Sequence, residues 1–133
     1  MSQLTSSRTR PVTVLLIDDD PDIVQIWALV LSFEGMVVTT AQNGSDGLAK
    51  ALQGGADVIV CDYMMPGMDG LAVCRALRSD ERTHGLPMIL CSAARGIQAE
   101  GLANVVLEKP LSVETLVEHI RSLRAVRRVI TFH

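Results

Sequence analysis

Apolar and polar positions along the chain follow two rhythms. Short apolar runs at Val12 to Ile17, Val37 to Ala41, Val58 to Cys61, Met88 to Cys91 and Val105 to Leu107 are brief and rich in β-branched residues, as strands of a covered parallel sheet require. Between them, apolar residues recur at helical spacing. Ile23, Ile26, Trp27, Val30 and Leu31 predict one apolar face on a helix that Asp20 caps, Pro21 opens and Gly35 ends, with Trp27 in the core. After an Asn43-Gly44 turn, Gly47 to Gln53 carries Leu48, Ala51 and Leu52 on a short helix closed by Gly54 and Gly55. Pro66 and Gly67 set a turn, Asp69 caps a helix bearing Leu71, Cys74, Ala76 and Leu77, and Ser79 to Pro87 is a polar connection. Val113, Leu116, Val117, Ile120 and Leu123 predict a final helix. Only Ala93 to Ala103 frays, with two glycines and Ile97 and Leu102 as its large apolar anchors.

Strands alternating with helical segments predict an α/β domain, a doubly wound parallel sheet with helices on both faces. Right-handed crossovers, and two threonines that mark the second strand as an edge, favour the flavodoxin-like order 2-1-3-4-5 with a shortened or irregular fourth helix. The expected boundaries are a flexible tail over 1–11, the domain over 12–127 and a second tail over 128–133.

That order has a chemical consequence. The first strand ends in Asp18, Asp19 and Asp20, and the third ends in Asp62. As neighbours, the two strands bring Asp18, Asp19 and Asp62 to one carboxyl rim, where ligands of open α/β sheets bind. Like charges there repel by roughly 4 kcal/mol per pair at about 4 Å and an effective dielectric near 20. A hard divalent cation answers that repulsion, and Mg2+ combines carboxylates, waters and a phosphate group. The rim therefore reads as a Mg2+ and phosphoryl site. Strand four adds Ser92 and strand five adds Lys109, one of only two lysines in the chain. Asp20 is better explained as a helix cap.

The segments LLIDDD, CDYMMPGMDG, PMILCSA and EKP, in this order, resemble the response regulator receiver domain, the phosphoacceptor module of two-component signalling, over roughly residues 12 to 127. The resemblance implies that Asp62 accepts the phosphoryl group, that Asp18, Asp19, Asp62 and the backbone carbonyl of Met64 hold Mg2+, that Lys109 and Ser92 contact phosphoryl oxygens, and that the Lys109-Pro110 bond is cis. It further implies a sensor histidine kinase or phosphotransfer protein as donor and a downstream protein as target. Such a module modifies itself and turns over no diffusible substrate. Two other readings stay open: a receiver-like interaction domain that is never phosphorylated, and a haloacid-dehalogenase-like phosphatase with Asp18 as nucleophile and Asp20 as acid.

Two departures from the receiver pattern fall together. Val106 stands where receivers usually carry the Tyr or Phe that swings inward on phosphorylation, and the interval from Ser92 to Lys109 is shorter than usual. Signalling is accordingly expected through a rearranged or order-disorder step between strands four and five. A second expectation is that the shortened segment exposes apolar surface for a homodimer. Apolar Met64 and Ala94, two positions beyond Asp62 and Ser92, give attacking water no help, so a long-lived phosphoryl state is expected.

Length and charge narrow the remaining classes. The 133 residues suit one domain, without room for an attached output domain, and a net charge of -3 gives no bulk attraction to nucleic acid. No apolar stretch approaches the ~20 residues of a membrane span, and the first residues lack a signal-peptide core, so a cytoplasmic location is expected. Cys61, Cys74 and Cys91 have no metal-ligand spacing and read as buried hydrophobes rather than a redox pair. Arg121, Arg124 and Arg128 complement the end of the last helix, and Val129, Ile130 and Phe132 either pack back or meet a partner.

Overall fold

A computed structural model describes residues 10–99 and 101–131, and side chains through residue 125. The elements in order are β1 (Thr13–Ile17), α1 (Pro21–Phe33), β2 (Val37–Ala41), α2 (Gly44–Gln53), β3 (Val58–Asp62), α3 (Gly70–Arg78), β4 (Met88–Ser92), β5 (Val105–Glu108) and α4 (Val113–Thr131). All strand pairs are parallel and the order is β2-β1-β3-β4-β5. The predicted topology is therefore the observed one, with β2 at one edge.

Successive strand residues point to opposite faces and divide the core in two. On one face Val14, Leu16, Val58, Val60, Ile89 and Cys91 pack with Val24 and Leu31 of α1 and Leu116, Val117 and Ile120 of α4. On the other, Leu15, Ile17, Ile59, Cys61, Met88 and Leu90 pack with Ala51 of α2 and Leu71, Cys74 and Leu77 of α3. Burying a side chain such as Ile120 contributes about 1.5–3 kcal/mol relative to leaving it in water.

Several local expectations change. The buried face of α1 runs through Val24 and Leu31, with Trp27 half-buried, whereas Ile26 is 56% exposed. The helix is apolar on two sides, and the sequence periodicity fits either. Asn43 is a cap rather than part of a turn: its side chain accepts from the Asp46 N–H at 2.7 Å, and α2 begins at Gly44, not Gly47. A Cβ on Gly44 would lie 2.7 Å from the Met68 carbonyl, so glycine is needed there for close approach. The last helix continues to Thr131, past the expected boundary at 127. The expected tail over 1–11 lies outside the described residues except for its last two positions, as do the side chains of Arg128, Val129, Ile130 and Phe132.

Between β4 and β5 the described residues form bends and turns and no helix. Large exposed apolar side chains among the described residues lie on α1, at Val37, Met64 and Val113, and none lies in this segment. The expected apolar dimer surface is therefore not found there. Ala99, Leu102, Ala103 and Val106 instead pack onto the core.

Arg78 at the end of α3 holds this segment. Its Nε donates to the Leu102 carbonyl at 2.9 Å, Nη1 to the carbonyls of Thr83, His84 and Leu86 at 3.3, 3.1 and 2.7 Å, and Nη2 to Asn104 Oδ1 at 3.3 Å. Asn104 Oδ1 also accepts from the Met88 N–H at 2.9 Å. One planar guanidinium thus ties Leu102 and Asn104, between β4 and β5, to the carbonyls of the loop before β4. Arg78→Ala is expected to cost about 2–3 kcal/mol, several net hydrogen bonds at once, read as a lowered urea midpoint. Arg78→Lys should recover little, because one ammonium cannot span both loops.

Candidate functional site

The site stands where the fold brings β1 and β3 side by side. Ile17 is in register with Cys61, so the next residue of each strand, Asp18 and Asp62, emerges at the same rim. One ligand oxygen from each of Asp18, Asp19 and Asp62 lies within 4.8 Å of the others. Asp18 is 6% exposed, Asp62 is half-buried and Asp19 faces solvent.

Lys109, one residue beyond β5, reaches over this cluster. Its Nζ donates to Asp62 Oδ1 at 2.9 Å and lies 3.9 Å from Asp18 Oδ2. The Lys109-Pro110 bond is cis, and the Lys109 N–H is fixed on the Ser92 carbonyl at 2.8 Å. Burial works against the ammonium, but the hydrogen bond and charge of Asp62 outweigh it and hold the Lys109 pKa above its ordinary value. Asp18 is pushed up, first by burial and then by Asp62 and Asp19, against the lowering effect of the Asp20 N–H and Lys109. The burial comes from an apolar floor that includes Leu16, Val60, Cys91, Trp27 and Leu116.

Ser92 is fully buried at the end of β4, one position beyond Cys91, the register partner of Asp62. Its Oγ accepts from the Ala94 N–H at 3.0 Å, leaving the hydroxyl proton free to donate. Met64 is 64% exposed on the β3–α3 loop. Asp20 caps α1, accepting from the N–H groups of Asp22 and Ile23 at 3.0 and 3.4 Å. Asp69 caps α3 through the Ala72 N–H at 2.8 Å.

The cysteines take no part. Cys61 and Cys91 lie on opposite faces of the sheet. Burial raises the pKa of Cys61 and Cys74 and pushes that of Cys91 up to about 12, so all three are inert thiols.

Two contributors were not foreseen. Trp27 shares an open depression beside Lys109 with Ile23, Pro110 and Leu111, although its spacing reads as core. Gly70 lets α3 meet the end of β3: its N–H donates to the Tyr63 carbonyl at 2.9 Å, and a Cβ there would lie 2.6 Å from the Asp62 carbonyl. The Asp-Gly pair that opens α3 is the only sequence trace of that approach.

Three clustered carboxylates faced by a lysine at the carboxyl rim of a 2-1-3-4-5 sheet define a module of the CheY-like class. The family model described as the response regulator receiver domain matches residues 14–121, and the chain belongs to that family. A probable transcriptional regulatory protein, TcrX of Mycobacterium tuberculosis, is 37% identical over 120 residues, covering 86% of this chain and 50% of the relative. The chain thus spans half the length of that protein. A receiver domain protein from Clostridium thermocellum superposes with a TM-score of 0.82 at 23% identity, covering 90% of this chain and 98% of the other, which speaks to fold alone. The response regulator TrrA of Thermotoga maritima, solved in complex with Mg(2+)-BeF, has a TM-score of 0.77 at 29% identity, with 84% of this chain and 98% of the other covered. Receiver domains are signalling modules that work with histidine kinases. Among the described residues, no helix is long and apolar enough to cross a membrane.

Proposed function

We propose that this chain is a phosphoacceptor that takes a phosphoryl group on Asp62 from a histidine kinase or phosphotransfer protein and thereby changes its affinity for a downstream protein. The observation that carries the reading is the 2.9 Å contact between Lys109 Nζ and Asp62 Oδ1 beside the carboxylates of Asp18 and Asp19. Such a cluster is costly without a cation, and its all-oxygen donor set suits Mg2+. Asp18, Asp19, Asp62 and the Met64 carbonyl would hold the ion, which when bound offsets negative charge on the phosphoryl oxygens.

The protein's own residues account for the rest. An Asp62 carboxylate oxygen attacks phosphorus, the O–P bond forms as the P–N bond of a phosphohistidine donor breaks, and the donor imidazole takes up a proton. Lys109 passes from Asp62 to a phosphoryl oxygen without leaving its place, so the transition state meets a preorganised charge. Ser92 donates its free hydroxyl proton to another oxygen. As that hydroxyl moves, its bond to the Ala94 N–H is given up, and this releases the start of the helix-free segment. Switching without an aromatic at Val106 has a physical route in that single bond.

The phosphatase reading requires Asp20 as an acid, whereas its Oδ1 serves as the cap of α1, accepting from two N–H groups. Incubation with acetyl phosphate and Mg2+, followed by intact mass measurement, is expected to add one phosphoryl group to the wild type and to Asp20→Ala, and none to Asp62→Ala. With apolar, exposed Met64 beside the nucleophile, the label should persist for minutes or longer. Wild type that stays unlabelled, or label that remains in Asp62→Ala, would refute the assignment.

A further inference from the structure

Ser92 is fully buried, yet the chain around it is open. The four residues that follow, Ala93 to Gly96, are exposed, and so is Glu108, its register partner on β5. Its remaining neighbour in the sheet comes from β3. Asp62 and Cys91 are register partners, and the ladder runs one step further, where the Tyr63 N–H donates to the Cys91 carbonyl at 2.8 Å. Tyr63 therefore stands beside Ser92, about 4.8 Å away across the sheet.

Alternation puts the two side chains on one face. Cys61 and Leu90, two positions back on their strands, both belong to the core beneath α2 and α3. Tyr63 is half-buried against that core, as are Leu102, Ala103 and Val106. Its backbone is held from two sides, by the Cys91 carbonyl and by the Gly70 N–H at 2.9 Å, so the ring is its movable part. A phenyl ring on Cβ reaches across to an adjacent strand, whereas a branched aliphatic group stops short of it.

We propose that Tyr63 is a positioning residue for Ser92: its ring lies over the Ser92 side chain, keeps water from the hydroxyl and fixes the direction in which the proton is offered. The proposal rests on the phosphoacceptor reading, in which Ser92 donates to a phosphoryl oxygen. It also links the rim to the helix-free segment, because Leu102 and Ala103 pack on the same core as the ring.

A double-mutant cycle on the full chain tests it, read as the rate of labelling by acetyl phosphate in Mg2+. Ser92→Ala is expected to slow labelling about tenfold, the loss of one hydrogen bond in the transition state. Tyr63→Leu keeps apolar volume against the core, so circular dichroism and the urea midpoint should stay near wild type. Its labelling should slow by a similar factor, and adding Ser92→Ala should slow it no further. Tyr63→Phe, which keeps the ring, should label like the wild type and retain the whole Ser92→Ala effect. Before any label is added, the Ala94 N–H, held by Ser92 Oγ, should exchange with solvent roughly fivefold faster in Tyr63→Leu than in the wild type. Equal exchange would overturn the proposal whether or not the chain takes label. Effects that multiply in the double variant, or a Tyr63→Phe that behaves like Tyr63→Leu, would overturn it while leaving the phosphoacceptor reading intact. A wild type that takes no label overturns both.

Discussion

Asp18→Asn is expected to make the metal-free protein more stable and to abolish its Mg2+-dependent phosphorylation. Asn keeps the side-chain oxygen that accepts from the Asp20 N–H and removes a buried negative charge that its surroundings oppose. In the presence of a chelator the melting temperature should rise by about 3–8 °C, the response of a small domain to roughly 1 kcal/mol. The sign with pH follows from the raised Asp18 pKa. The folded wild type holds its proton to a higher pH than the unfolded chain, so it loses stability as pH climbs from the ordinary carboxylate value of 3.8 through the raised one. The advantage of Asn should be full above that window and vanish below it. Mg2+ should reverse the order, stabilising wild type by about 2.7 kcal/mol at a hundred times its dissociation constant and leaving the variant nearly unmoved. Labelling by acetyl phosphate should fall by roughly two to three orders of magnitude, as when one electrostatic contributor is lost. A variant that melts below the wild type in chelator would show that the three carboxylates are not in conflict.

Gly70→Ala is expected to damage both the fold and the site, although the substitution adds only a methyl group. The new Cβ would lie 2.6 Å from the Asp62 carbonyl, 2.7 Å from Leu90 Cδ2 and 3.0 Å from Tyr63 Cα. Two of these neighbours are backbone and cannot rotate away. Either α3 withdraws from β3 or the end of β3 shifts, at a cost near the upper end of the roughly 1–3 kcal/mol seen for overpacking. Urea denaturation should show that loss, and the labelling rate should fall as well, because the displaced strand end carries Asp62. Asp69→Ala separates the two effects: it removes the cap of α3 and should cost about 1 kcal/mol without moving Asp62. Equal labelling in Gly70→Ala and wild type would mean that α3 yields alone.

The sheet and its rim were legible because the informative residues act locally. Three of the apolar runs lead directly to Asp18, Asp62 and Ser92, and parallel pairing turns Asp18 and Asp62 into neighbours without any knowledge of the loops. Lys109 could be placed for the same reason. The reading failed where one pattern admits two structures. Both faces of α1 satisfy the helical period, and the periodicity cannot say whether Val24 or Ile26 turns inward. Asn43-Gly44 has the letters of a turn, yet Asn43 caps a helix and Gly44 makes room for Met68. Arg78 was invisible because its partners, from Thr83 to Asn104, are set by tertiary folding, and an arginine in the last turn of a helix ordinarily needs no more explanation than the dipole.

The reach of Arg78 also bears on how such a chain can change over generations. A helix between β4 and β5 would be maintained by many residues, each replaceable without much harm. Here Leu102 and Asn104 of that stretch share one guanidinium with Leu86 of the loop before β4, so a single side chain couples two connections. A change at position 78 therefore reaches two connections at once, whereas most single changes within a helix disturb one turn.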